Sequence, residues 1–183
     1  RIEKVELSLP EGVQLTRVSD KSLSEMLASG EIDCAIIARP PTCFLENHPD
    51  VVRLYPNYLE MEEQYYDRTK VWPIMHIIAI QKHILDENPW IARNLVNAFN
   101  ESKRRSIERL FDPAVSRYPL PWLPTYARRM RDMMHGDTFP FGVEANRPTW
   151  EQLLLYTYQQ GIAHRHAKVE EVFPAGIDTE IIV

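Results

Sequence analysis

A chain of 183 residues and 21.4 kDa has room for one full domain or two small lobes, with a sizeable core. Its 44% hydrophobic and 26% charged residues match the soluble globular average and exclude collagen-like, disordered and disulfide-scaffold classes. Twenty-one basic against twenty-six acidic side chains give a net charge of −5, which argues against a surface that coats nucleic acid or an anionic membrane.

In chain order, Gly12 precedes an imperfect period-two pattern over 13–18 (Val13, Leu15, Val18) that predicts a strand. Ser22 and Glu25 then form an S-x-x-E capping box. Leu23, Met26 and Leu27 supply an i, i+3, i+4 stripe, and Gly30 stands where a left-handed C-terminal residue is wanted. Residues 32–38 (IDCAIIA) are a continuous apolar run broken only by Asp33, the pattern of a strand covered on both faces in a parallel sheet. Strand, helix and strand in succession predict a βαβ unit. Pro40 and Pro41 end the second strand, and after a loop 51–54 is a further short strand candidate.

Residues 57–66 predict a helix with Tyr58, Met61 and Tyr65 on its apolar side, broken over 69–73. Residues 74–80 (IMHIIAI) form the third strong strand candidate. With Trp72 and Pro73 they are the longest nearly apolar run, far short of the ~20 residues that span a bilayer. Asn88 and Pro89 mark a helix start, and the apolar stripe carries that helix to about Leu110. The four prolines of 112–124 predict an irregular arm before a helix over 125–134. A last secure helix starts at Thr149, boxed by Gln152, and stops at Gly161, with Trp150, Leu153, Leu154 and Tyr158 facing inward. A shorter helix over 169–172 closes the chain, and there is no internal repeat.

In open α/β sheets ligands bind beyond the carboxyl ends of the strands. Arg39 stands there, directly after IDCAIIA, and two prolines stiffen the loop that would aim its planar guanidinium at a carboxylate. The alternative is a surface arginine at a strand end. His76 in the third strand is a candidate acid or base, against the reading of a core histidine with its own partner. Arg68 and Thr69, with Trp72 and Pro73, lie in a connecting segment. Two arginines at one site, Arg39 and Arg68, would suit a ligand with two carboxylates, and Tyr65, Tyr66 and Trp72 would suit an aromatic ring.

Asn146 and Arg147 precede Pro148 at a helix start, where they serve either to hold an anion or to cap the helix. His164 and His166 resemble a metal pair only superficially, since no third ligand accompanies them. Cys34 and Cys43 have neither zinc nor redox-pair spacing. The basic clusters at 103–105 and 128–131 read as solvated helix faces. No P-loop, G-x-G-x-x-G, G-x-S-x-G or H-E-x-x-H is present.

Together the runs GEIDCAIIARPPTCF, YYDRTKVWPIMHIIAI, ENPWIARNLVNAF and FPFGVEANRPTWEQLLLYTYQQGI resemble the 4,5-dihydroxyphthalate decarboxylase family. The resemblance extends over nearly the whole chain. It implies an α/β fold of the type 2 periplasmic-binding-protein kind, two lobes with a ligand cleft between them. It also implies that the amino-terminal part of the first lobe is missing, as family members are longer by well over a hundred residues at that end. On this mapping residues 1–71 belong to the second lobe, and 72–183 cross back and complete the first.

The reaction the resemblance implies removes one carboxylate from a dihydroxylated phthalate to leave a dihydroxybenzoate. An aryl carbanion is too costly. A para hydroxyl therefore supplies electron density, the ipso carbon is protonated, and CO2 leaves from the ketone-like intermediate. This needs a base near the catechol oxygens, an acid near the ipso carbon and a cation on the retained carboxylate. The ring is its own electron sink, so no cofactor is called for.

On position, Arg39 is expected to clamp the retained carboxylate, His76 to transfer the proton and Arg68 to assist orientation. Thr69, Trp72, Asn146 and Arg147 complete the expected substrate contacts. The expected partner is an aromatic carboxylate, with no nucleic acid and no membrane span, and a homo-oligomer is compatible with the sequence. The expected location is cytoplasmic. The rival reading is a solute-binding protein of an ABC-transporter or related system for a small anionic or aromatic ligand, which would place it in the periplasm.

Overall fold

The computed structural model describes residues 6–114, 118–174 and 176–177. It divides into two compact units: Leu9–Glu62 form one, and the remaining described residues the other.

In the first unit, α1 (Leu23–Ala28) is the helix expected from the capping box. The backbone N–H of Glu25 donates to Ser22 Oγ at 3.2 Å, and Ser22 N–H donates to Glu25 Oε2 at 2.7 Å. Gly30 follows at φ +75, the left-handed conformation its position requires. A short α2 (Thr42–Leu45) packs on α1. The Cys43 N–H donates to Ser24 Oγ at 3.0 Å, and Cys43 is the buried residue of this helix. α3 (Tyr58–Thr69) begins in this unit and runs into the other. It extends past its expected end at residue 66, because Thr69 Oγ1 donates back to the Tyr65 carbonyl at 2.7 Å. Lys70 then ends it at φ +56.

The second unit is helical too. α4 (Lys82–Glu87) was not expected. Asn88, expected to open a helix, caps its end, and α5 (Trp90–Phe111) begins after Pro89. α5 packs on α6 (Leu123–Met133), which starts with Pro124 in its first turn. A 3-10 turn, Glu144–Asn146, leads into α7 (Arg147–Gln159), and a second, Val169–Glu171, lies against it. α7 opens two residues before Thr149, which is therefore not its cap. The core gathers Val143, Trp150 and Val169, with Ile74, Leu154, Phe173 and Ile177 packed around them. Leu153 and Tyr158, expected to face inward, are exposed.

The two-lobe α/β fold of the periplasmic-binding-protein kind is overturned: among the described residues there is no strand. Segments 13–18, 32–38, 51–54 and 74–80 are neither helical nor paired. A strand covered on both faces needs neighbours that satisfy its backbone and cover its side chains. The backbone groups of 33–40 and of 74–80 have no hydrogen-bond partner among the described residues. Ile36, in the middle of IDCAIIA, is 98% exposed. The apolar runs are real, but among the described residues no segment pairs with them as a neighbouring strand.

Candidate functional site

The second unit holds a hollow of about 780 Å³ whose walls include Thr69, Arg147, Gln152, His166 and Lys168. Two residues chosen separately on sequence, Thr69 and Arg147, meet here. Thr69 is placed by the end of α3, where its hydroxyl also accepts the Val71 N–H at 3.1 Å. Trp72 is fixed next to it. Its N–H donates to Thr149 Oγ1 at 3.0 Å, and the same hydroxyl donates to the Trp72 carbonyl at 3.2 Å. One threonine on α7 thus holds both backbone groups of Trp72, whose ring meets Tyr66 edge-on at 5.8 Å.

Arg147 stands at the start of α7 with its charge engaged. Nε donates to Glu144 Oε2 at 2.9 Å, and Nη1 lies 2.9 Å from Glu170 Oε1, with Glu151 farther off at 3.7 Å. Glu144 and then Glu170 push the guanidinium pKa up. In return, Arg147 holds the Glu144 carboxyl below its usual range, and Glu170 is lowered first by its own backbone N–H and then by Arg147. The arrangement is an ion-pair network that locks a 3-10 turn, a helix start and a second turn together. Asn146 is buried and supports the same corner: its side-chain amide donates to the carbonyls of Pro140 at 2.8 Å and Gly142 at 2.9 Å. Its side chain makes no cap bond to α7.

These lowered carboxyl pKa values have a defined sign. A carboxylate whose folded pKa lies below its unfolded value of about 4.3 adds stability above that value and loses it as pH falls toward the folded pKa. The thermal midpoint is therefore expected to drop between about pH 5 and pH 3. Arg147→Met should flatten that drop, read by circular dichroism melts across the range. An unchanged slope in the variant would contradict the network's part in it.

Of the other sequence candidates only His166 lines this hollow. Arg39 is exposed in the first unit, after the unpaired run 32–38. His76 belongs to the second unit and is exposed on segment 74–80, so it is not a core histidine. Arg68 is exposed on α3, its guanidinium 5.9 Å from the Tyr65 ring centroid. His164 Nε2 is 3.1 Å from the Glu6 carbonyl oxygen, and His166 stacks on Tyr158 with centroids 5.9 Å apart. Lys103 is no solvated residue, since its ammonium donates to Asp137 at 2.7 Å and to the Phe139 carbonyl at 3.0 Å. Arg104 and Arg105 do lie on an exposed face, and both bind Glu101, holding its pKa down to about 2.

Sequence reasoning missed Thr149 as the anchor of Trp72, and no local signal marks a bond between residues 77 apart. It also missed Glu144 and Glu170 as partners of Arg147, although the i, i+3 spacing of Glu144 and Arg147 was visible. Among the described residues no helix is long and apolar enough to cross a membrane, and no group of three His, Cys, Asp or Glu side chains is placed to hold a metal ion.

No family model matches the chain. It is 34% identical over 181 residues to the 4,5-dihydroxyphthalate decarboxylase of Comamonas testosteroni, a match that covers 98% of this chain and 55% of that protein. A second protein of the same name, from Pseudomonas putida, is 46% identical over 56 residues, 30% of this chain and 22% of that protein. The chain thus spans about half the length of the Comamonas testosteroni protein. The resemblance read from its sequence motifs holds: the chain is a relative of 4,5-dihydroxyphthalate decarboxylase, similar to it across 98% of its own residues.

Proposed function

We propose that the whole protein removes one carboxylate from 4,5-dihydroxyphthalate to give CO2 and 3,4-dihydroxybenzoate. The observation that carries this reading is the 34% identity to a decarboxylase of that name, sustained over 181 residues. The chemistry needs no external electron acceptor. The hydroxyl para to the departing carboxylate loses its proton and pushes electron density into the ring. A proton adds to the ipso carbon, the ring–carboxylate bond breaks, and its electron pair restores the aromatic ring as CO2 leaves.

In this reading Arg39 holds the retained carboxylate, for which a planar guanidinium fork is suited. His76 delivers the proton to the ipso carbon, a task fitted to a side chain that titrates near neutrality. Arg68 orients the substrate. Thr69, Trp72, Asn146 and Arg147 contact it or shape the surface it meets, with Thr149 and Glu144 as positioning residues behind Trp72 and Arg147. The test is incubation of the whole protein with 4,5-dihydroxyphthalate. Stoichiometric 3,4-dihydroxybenzoate is the expected result, and a rate no greater than that of buffer overturns the proposal.

A further inference from the structure

A second hollow, of about 510 Å³, lies in the second unit where the last turn of α5 meets the arm that leads into α6. It shares no lining residue with the hollow at Arg147. Its volume falls within the range of about 300 to 1,000 Å³ typical of small-molecule sites. Leu110, Leu120 and Leu123 supply apolar wall, Tyr118 adds an aromatic residue, and four prolines line it as well. Each proline fixes its own φ, so the wall loses little freedom when a ligand arrives.

Two opposite charges belong to the same lining, Arg109 and Asp112. They stand three residues apart, yet no ion pair joins them, and among the described residues no acceptor engages the Arg109 guanidinium. By contrast, Arg104, Arg105, Arg129, Arg147 and Arg165 of this unit each bind a glutamate. Asp112, which ends α5, accepts the Ala114 N–H at Oδ1 at 2.9 Å. Its carboxylate keeps lone pairs for a further donor.

We propose that this hollow is a binding site for a small hydroxylated aromatic monocarboxylate. The planar fork of Arg109 takes the carboxylate, the apolar wall covers the ring, and the ring hydroxyl donates to Asp112. A neutral hydrocarbon or an amine would leave Arg109 without a partner. A second carboxylate on the ring would meet Asp112 with like charge, which limits the ligand to one acid group. The ligand is therefore not a phthalate, and the inference does not rest on the decarboxylation proposed above. The place of Arg109 in the last turn also lets it complement the dipole of α5, but that role alone predicts no response to a ligand.

The test is a titration of the isotopically labelled whole protein with 4-hydroxybenzoate, following the amides of Leu110, Leu120 and Leu123 by NMR. Saturable shifts of all three with one dissociation constant are expected. Arg109→Gln should raise that constant at least about 10-fold, the usual cost of losing a hydrogen bond to a charged group, while keeping the helical circular dichroism of the unaltered protein. Benzoate lacks the hydroxyl and should bind the unaltered protein about 10-fold more weakly, which needs no variant to fold. Absence of a saturable shift at these amides with millimolar 4-hydroxybenzoate overturns the proposal. So does a dissociation constant that is the same for Arg109→Gln, or the same for benzoate.

Discussion

Trp150→Ala is expected to destabilise the second unit by about 3 kcal/mol, the lower end of the cost of emptying a buried aromatic site. Trp150 is 7% exposed, sits in the Val143 and Val169 cluster, and meets the Phe173 ring edge-on at 4.7 Å. Its removal takes away both the transfer term and the aromatic contact, and leaves a void next to Ile74. The lower end is appropriate because the core is shallow: among the described residues no large side chain is fully buried, so the neighbours have room to collapse into the gap. Urea denaturation followed by far-ultraviolet circular dichroism reads the effect. Trp122→Ala is the control, 80% exposed and expected to cost less than about 0.5 kcal/mol. Equal losses for the two substitutions would contradict the assignment of the core.

The second large effect is on turnover. If His76 delivers the proton to the ipso carbon, His76→Ala should lower the rate of 3,4-dihydroxybenzoate formation by about 10² to 10⁴, the usual contribution of a positioned acid or base. Affinity for 4,5-dihydroxyphthalate should change little, since retention of the carboxylate is assigned to Arg39. Exposure of His76 on segment 74–80 makes the substitution structurally mild, so a loss of rate is not a loss of fold. Steady-state rates alongside equilibrium binding separate the two. An unchanged rate in the variant would remove His76 from the mechanism.

The helices were legible in the sequence because their signals are local. Ser22 with Glu25 needs only four residues to specify a start, and Gly30 and Gly161 stand at positive φ where helices end. α4 went unseen because KHILDE is short and has no side-chain cap. The strand expectations failed for a different reason. An apolar run such as IDCAIIA or IMHIIAI reports that a segment is suited to burial, but a strand exists only where a neighbour supplies hydrogen bonds, and the described residues hold none.

Of the candidate site, the choice of residue types was legible and their grouping was not. Thr69 and Arg147 line one hollow although 78 positions separate them in the chain. Asn146 was read as either an anion contact or a helix cap, and its side chain instead holds the carbonyls of Pro140 and Gly142. Such pairings depend on how the loop closes, which composition and periodicity do not encode.

Running the reaction of the whole protein with 4,5-dihydroxyphthalate in D2O, and reading the product by mass and by NMR, bears most directly on the chemistry proposed. The expected product is 3,4-dihydroxybenzoate with one deuterium on the ring carbon ortho to the retained carboxylate, formed together with one equivalent of CO2. Recovery of unchanged 4,5-dihydroxyphthalate, or a product without deuterium at that carbon, would contradict it.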